Sequence, residues 1–302
     1  MMHRRIAIGF LMLLGVAAAA PAQTSKPAEN KFLRYVGDDN AGKLEAAIVT
    51  YHNPATGARV DLVSAVHVAD PAFFATLDHL FPRYDAVLYE MVKPAGMEPP
   101  DPGEHTGSGV SALQRFIKDV LHLQFQLDAI NYHAKNFVHA DLDAETFARM
   151  QDERGESIFM LMLQSMMQEM LNPTAASANS RLNNISLPEL LAILASPDRP
   201  RQLKLLIAPE FGDIDTQMAS LEGPTGSVLV TERNKAAIAV LTKSLAAGKK
   251  NIAIFYGAAH MHDMEKRVEA LGFQPIATRW LTAWDVSAAT AVTTRPFKLT
   301  TP

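Results

Sequence analysis

The chain has 302 residues with a formal net charge of −4, and 48% of them are hydrophobic, which is typical of a globular protein. The acidic balance and the absence of a basic run interleaved with aromatic residues argue against nucleic acid as a partner. The sequence contains no cysteine, which excludes disulfides, thiolate metal ligands and a lipoprotein anchor.

The first residues have the pattern of an export signal. A basic start over 1–5 precedes an apolar run over 6–20, and Ala20-Pro21-Ala22 fits the small-x-small rule for cleavage. The run is too short and too rich in alanine for a good membrane span, and no second such run follows. We therefore expect a signal peptide over 1–22 and an exported protein, periplasmic or secreted, without a stable membrane span after cleavage. An uncleaved anchor is the alternative.

The rest of the chain divides into a leader, one domain and a tail. Residues 23–43 predict a flexible leader, 44–285 a single α/β domain, and 286–302 a loose tail. Within the domain, about 111–220 is mostly helical in pattern, which indicates an insertion that covers a site. This insertion includes a methionine-rich helix over 156–171.

The domain begins with a predicted strand–helix–strand unit. Runs over 44–51 and 59–66 predict a β-hairpin, because turn-forming residues separate them. A helix follows over 71–81, with Asp70 as its N-cap, and a strand follows over 85–89. Strands joined through a helix should be parallel, with a right-handed crossover.

The α/β pattern resumes after the insertion. The predicted elements are a short strand over 228–230, a helix over 232–247 capped by Thr231, a strand over 251–256, a helix over 262–271 and a strand over 273–281. Together the elements predict an α/β fold with a mixed, partly parallel central sheet.

Three chemically active side chains follow predicted strands. His67 and His260 each come after a strand and small residues, and Glu90 comes directly after a strand. Ligands of open α/β sheets bind at the carboxyl ends of parallel strands, so the three side chains should converge. Two imidazoles and a carboxylate are a common ligand set for zinc, manganese or cobalt. Alternatively, each histidine is an ordinary loop residue; His262, two positions beyond His260, should diverge from it on a helix.

A polar cluster, Glu232-Arg233-Asn234, stands at a predicted helix start. Arg233 could stabilise developing negative charge, Glu232 could move a proton, and Asn234 could contact a substrate. The alternative is a solvated first turn of the helix.

His139 and Asp141 form a second polar group that could bind a substrate. The alternative is that Asp141 or Asp143 caps a helix over 144–150.

At these residues the chain resembles the TraB/GumN family, relatives of the Tiki metalloproteases. The resemblance lies in residues 60–71 (VDLVSAVHVADP), 84–90 (YDAVLYE) and 255–260 (FYGAAH), and in Glu232-Arg233-Asn234. It implies an α/β core with paired strand–loop–His motifs, a helical insertion and a metal-dependent, peptidase-like hydrolase. Carried over, His67, Glu90 and His260 become the metal or active-site set, surrounded by Glu232-Arg233-Asn234. One departure is Ser64, where the family usually has glycine.

The sequence therefore predicts an exported hydrolase that cleaves an amide or ester bond in a small-molecule or peptide substrate. Its expected cofactor is a divalent transition metal: manganese, cobalt or zinc. The alternatives are a non-catalytic periplasmic protein that binds haem or a metal through the same histidines, and a purely structural role. The sequence leaves the oligomeric state open.

Overall fold

A computed structural model describes residues 31–101, 120–156, 184–212 and 226–287. The predicted signal peptide, nearly all of the methionine-rich helix and nearly all of the predicted tail lie outside these ranges. Within them, no helix is long and apolar enough to cross a membrane.

Nine strands and seven α-helices are described. The strands are β1 (Leu33–Gly37), β2 (Gly42–His52), β3 (Arg59–Ala65), β4 (Val68–Ala69), β5 (Ala86–Tyr89), β6 (Gln124–Phe125), β7 (Phe137–His139), β8 (Asn251–Gly257) and β9 (Gln274–Asp285). The helices are α1 (Pro71–Leu80), α2 (Gln126–Ala129), α3 (Ala144–Arg154), α4 (Leu187–Ala195), α5 (Arg199–Gly212), α6 (Arg233–Ala246) and α7 (Met261–Ala270). Short 3₁₀ turns at Phe81–Arg83 and Ala258–His260 follow α1 and β8.

A seven-stranded mixed sheet is the centre of the fold, which confirms the predicted α/β class. Strands β3, β8, β5 and β7 are neighbours in that order and run parallel. Strand β2 pairs antiparallel with β3 on one side and with the long β9 on the other, and β1 pairs with the first part of β2. The predicted hairpin of β2 and β3 is confirmed. Strands β3 and β5 are parallel as predicted, but β8 lies between them.

The sheet is buried on both faces because its two sets of alternating side chains pack into separate apolar clusters. On β8, Ala253 and Phe255 belong to one cluster, while Ile252, Ile254 and Tyr256 belong to the other. A strand that is covered on both sides is expected to be continuously apolar, as β8 is. The parallel strands therefore form a rigid base for the loops at their carboxyl ends.

The predicted flexible leader is wrong in its last part, because β1 lies within it. Phe32 and Leu33 are 0% and 2% exposed, and the N–H of Ala47 donates to the carbonyl of Phe32 at 2.8 Å. Two apolar residues are too few to show a period, so pairing with β2 decides this strand. At the other end, β9 extends to Asp285, four residues beyond the predicted last strand.

Three local predictions are corrected, wholly or in part, near the helix starts. Residues Val228–Glu232 form a π-helical turn rather than a strand, and Ser227 caps this turn by accepting from the N–H of Val230. Helix α6 then begins at Arg233 without a cap from Thr231. Asp70 occupies the N-cap position of α1 and is followed by Pro71, as predicted, but its carboxylate makes no capping hydrogen bond and instead accepts from Lys204 and from the N–H of Asp285.

Candidate active site at the carboxyl ends of the parallel strands

The three predicted strand-end residues meet around Gly257. A methyl group in place of its hydrogen would lie 3.3 Å from Glu90 Oε2, 3.4 Å from His67 Nε2 and 3.7 Å from His260 Cδ2. This meeting follows from the register, because Gly257 ends β8 opposite Ala65 of β3, and Phe255 lies opposite Tyr89 of β5. The predicted convergence at one edge of the sheet is therefore present.

The His67 ring is held by a side chain that sequence reasoning missed. Its Nδ1 lies 3.0 Å from Oε1 of Gln126, whose amide nitrogen donates to the Tyr132 hydroxyl at 2.8 Å. Because that amide nitrogen is occupied, Gln126 Oε1 is the acceptor and His67 Nδ1 carries the proton. Nε2, the other ring nitrogen, therefore faces Gly257 with a free lone pair when the ring is neutral.

The His260 ring is held in a similar way by Asn234. Its Nδ1 lies 2.8 Å from Asn234 Oδ1, while the Asn234 amide nitrogen donates to the His260 carbonyl at 2.9 Å and to Asp263 Oδ2 at 2.8 Å. His260 Nε2 then faces Glu90 Oε1 at 3.4 Å. Asn234 therefore orients the His260 imidazole. Because Asn234 is 0% exposed, it is not accessible for the predicted contact with a substrate.

Arg233 connects the site to Asp141. Its guanidinium donates to Asp141 through Nε at 3.0 Å and Nη2 at 2.6 Å, and Nη2 also donates to Glu90 Oε1 at 2.7 Å. Nη1 lies 3.4 Å from His260 Nε2. Burial by itself would lower the pKa of the Arg233 guanidinium. The hydrogen bonds and charge interactions with Asp141 and Glu90 outweigh burial, so this pKa is raised above its ordinary value. The solvated-turn alternative is therefore wrong for Arg233.

Glu90 is the carboxylate at the centre of the group. Oε2 accepts from the N–H of Gly257 at 2.6 Å, and Oε1 accepts from Arg233. Burial would raise the pKa of the Glu90 carboxyl, but the two histidines and Arg233 outweigh burial and hold this pKa well below its ordinary value. Glu90 is therefore ionised near neutral pH.

Two predicted site residues lie on other contacts. The Glu232 carboxylate pairs with Arg154 and with Lys235, so it is not placed to move a proton at Glu90. His139 donates through Nε2 to the carbonyl of Met91 at 2.7 Å and packs edge-on against Tyr89. Both therefore support loops and helix ends around the site.

The structure decides three further interpretations of the sequence. Asp143, rather than Asp141, caps α3 by accepting from the N–H of Thr146 at 2.8 Å. His262 diverges from His260 as predicted, since its ring packs edge-on against Phe32. Ser64 lies in β3 with an ordinary backbone, because His122 is the one non-glycine residue with positive φ in the described ranges. A glycine at position 64 is therefore not required by conformation.

The residues fit a metal ion in donor chemistry and orientation, although they are not gathered into a ligand sphere. Among the residues the structure describes, no group of three histidine, aspartate or glutamate side chains lies in metal-holding geometry. Even so, both Nε2 atoms are turned inward while each Nδ1–H is held by an amide oxygen, the outer-shell arrangement that metal-binding histidines use. The space beside Gly257 opens toward His67 Nε2 and Glu90 Oε2.

Access to the group is from the His67 side. His67 is exposed, whereas His260 is 5% exposed and Arg233 is 7% exposed. A molecule arriving from solvent would therefore meet His67 and Glu90 before it reached the buried ion pairs.

Comparison of the chain with protein-family models, with curated proteins and with solved structures found no match.

Proposed function

We propose that this protein is a metal-dependent hydrolase whose centre is formed by His67, Glu90 and His260. One observation carries the proposal. The side chains of Glu90 and Asp141 are 9% and 0% exposed, and they share the single guanidinium of Arg233. One positive charge cannot balance two buried carboxylates, and uncompensated buried charge is costly. A cation beside Glu90 would restore the balance.

A divalent transition metal fits this role better than a proton on an imidazole. His67 Nε2 and His260 Nε2 both face Glu90 or the space beside it, and neutral imidazoles are the usual partners of manganese, cobalt or zinc. A protonated His260 would also balance the charge of Glu90, but it would not explain why His67 Nε2 faces the same space. When bound, such an ion acts as a Lewis acid and makes water a stronger nucleophile near neutral pH.

The protein's own residues would then orient and balance this centre. Gln126 and Asn234 fix the ring orientation of the two histidines through their amide oxygens. Arg233 holds Glu90 in place and adds positive potential where negative charge develops during attack on a carbonyl. The exposed side of His67 would receive the substrate, and the reaction would be cleavage of an amide or ester bond in a small molecule or peptide.

The resemblance to the TraB/GumN family in residues 60–71, 84–90 and 255–260 supports the same reaction class. The signal-like start over 1–22 supports export to the periplasm or beyond. Sequencing the N-terminus of protein recovered from the exported fraction tests this second point, because cleavage predicts a chain that begins near residue 23.

Metal affinity is the first test of the proposed centre. Calorimetric titration of the chain over 23–302 with Mn²⁺, Co²⁺ and Zn²⁺ should give about one tight site, and His67→Ala or His260→Ala should weaken it by at least about tenfold. His79→Ala, which removes an exposed imidazole from α1, is the matched control and should change nothing. Equal affinity in the wild type and both site variants would overturn the assignment.

Hydrolysis of ester and peptide probes with the bound metal is the second test. Metal binding that depends on His67 and His260, without turnover of any probe, would favour the alternative of a non-catalytic metal-binding protein. A Soret band that appears on adding haem and is lost in the same variants would identify a haem carrier instead.

A further inference from the structure

A cavity lies at the opposite ends of the strands that position the candidate active site. It has a volume of about 360 Å³, and its lining includes Arg59 at the start of β3 and Asn251 at the start of β8. The candidate active site follows the other ends of these two strands. Strands rise about 3.3 Å per residue, so the two places are separated by roughly 20 Å.

Three guanidiniums line this cavity. They belong to Arg59, Arg83 and Arg279, which are contributed by β3, by the turn after α1 and by β9. All three are exposed, and in the described parts of the chain no carboxylate forms an ion pair with any of them. By contrast, Arg34 and Arg267 each pair with a neighbouring carboxylate.

The one carboxylate that lines the cavity, that of Asp61, already forms a hydrogen bond with another side chain. Asp61 Oδ2 accepts from the Tyr84 hydroxyl at 2.6 Å, and Asp61 Oδ1 is buried without a hydrogen bond, so no arginine donates to it. Burial and Asp61 raise the pKa of the Tyr84 hydroxyl, while the charges of Arg279 and Arg59 oppose that rise. The positive charges of Arg59 and Arg279 therefore act at the part of the cavity wall that Tyr84 and Asp61 form.

We propose that this cavity binds the phosphate group of a phosphorylated molecule, at a site separate from the hydrolytic centre. Three guanidiniums against one carboxylate leave an excess of two positive charges, which matches a phosphomonoester that is nearly dianionic near neutral pH. Guanidinium forks recognise phosphate oxygens in pairs. Thr50, on the neighbouring strand, is also part of the wall.

Phosphate binding can be measured without reference to hydrolysis. The chain over 23–302 is titrated with inorganic phosphate and with pyrophosphate at constant ionic strength, by calorimetry and by thermal unfolding. We expect saturable binding that the double variant Arg59→Gln/Arg279→Gln weakens by at least about tenfold. The charge-matched control Arg149→Gln/Lys243→Gln, which removes two exposed cations from α3 and α6, should retain it.

Equal weakening in both double variants, or a shift that never saturates, would overturn the proposal. Vesicles of phosphatidylglycerol and of phosphatidylcholine then distinguish the source of the phosphate. Binding to phosphatidylglycerol alone, lost in the Arg59/Arg279 variant, would assign the site to a lipid headgroup, whereas binding of phosphate without vesicle binding would assign it to a soluble molecule. Metal affinity should be the same in all variants, so the outcome is independent of the proposed hydrolytic centre.

Discussion

At the scale of single residues, Gly257 is the position on which the candidate site depends most directly. Its φ of −52° is one that any residue can adopt, so a larger side chain is not opposed by the backbone. What glycine provides here is space, since Glu90 Oε2 and His67 Nε2 lie within 3.4 Å of where a Cβ would be. A small residue is needed for the site rather than for the turn.

Replacing Gly257 by alanine tests this interpretation. The added methyl group fills the space between Glu90 and His67, so metal affinity should fall by about tenfold or more while the fold is kept. The free energy of unfolding should change by no more than about 1–3 kcal/mol, the usual cost of an extra methyl group in a packed region. Calorimetry with metal and urea unfolding measure the two effects, and unchanged metal affinity would contradict the placement of the ion beside Gly257.

Gln126 is a positioning residue for His67, and two variants separate its hydrogen bonds. Gln126→Leu removes the acceptor for His67 Nδ1–H and should lower metal affinity by about 10–100-fold. Gln126→Glu keeps an acceptor for His67 while losing the donor to Tyr132, so it should bind metal more tightly than Gln126→Leu. If the leucine and glutamate variants bound equally, Gln126 would act only through packing.

At the scale of secondary structure elements, the starts of α6 and α7 are joined by one buried amide. Asn234 lies in the first turn of α6, and it bonds the carbonyl and ring of His260 and the carboxylate of Asp263 in α7. Two of these groups belong to His260, in the turn between β8 and α7, and the third lies in the first turn of α7. The amide therefore fixes the angle at which the connection leaves the sheet.

Asn234→Ala should destabilise the protein and disturb the site together. Three partners lose a hydrogen bond in a buried place, so the free energy of unfolding should fall by about 1–3 kcal/mol or more. Asn40→Ala is the matched control, because Asn40 is exposed and its loss should cost less than about 0.5 kcal/mol. Urea unfolding of both variants makes the measurement, and equal losses would contradict a joining role for Asn234.

Tyr84 ties β3 to the turn after α1 through Asp61, and its contribution should depend on pH. Burial and Asp61 raise the pKa of Tyr84 in the folded protein, whereas an unfolded tyrosine ionises near pH 10. The stability provided by the neutral hydroxyl is therefore complete below pH 10 and declines as the pH rises above it. Tyr84→Phe should cost about 1–3 kcal/mol at pH 8, and less at pH 10.5. A cost independent of pH in urea unfolding would contradict this assignment.

At the scale of the whole molecule, the outer strands β1 and β9 extend the sheet that lies between the two apolar clusters. Strand β9 pairs along nearly all of β2, and β1 covers the first part of β2 on the other side. Because Phe32 belongs to the same cluster as β8 residues Ile252 and Ile254, the start of the described chain is part of the core. The domain is therefore larger at its N-terminal side than the sequence pattern predicted.

Phe32→Ala tests whether this early segment stabilises the whole domain. Phe32 is 0% exposed, so the substitution should lower the free energy of unfolding by about 3–5 kcal/mol. Val36→Ala, in the strand β1 that directly follows Phe32 but 49% exposed, should cost less than about 0.5 kcal/mol. A small and equal effect of both substitutions on urea unfolding would mean that β1 is not part of the cooperative unit.

The local features of the fold could be predicted from the sequence. The β2–β3 hairpin and the apolar run of β8 are properties of short stretches, and the sequence predicted them correctly, whereas it left the cap of α3 open between Asp141 and Asp143. The meeting of His67, Glu90 and His260 was also predictable, because parallel strands place their carboxyl ends at one edge of a sheet.

Contacts between distant segments were decided only by the tertiary structure. Gln126 reaches His67 across 59 positions, and Arg233 reaches Glu90 across 143 positions. No spacing along the chain indicates such pairs, because the side chains meet through the packing of a loop or helix onto the sheet. The same holds for β1, which is too short to show a period, and for Glu232, whose pairing with Arg154 turns it away from the site. The sequence by itself determined which groups stand at the strand ends, while packing determined how they are oriented and which charges neutralise them.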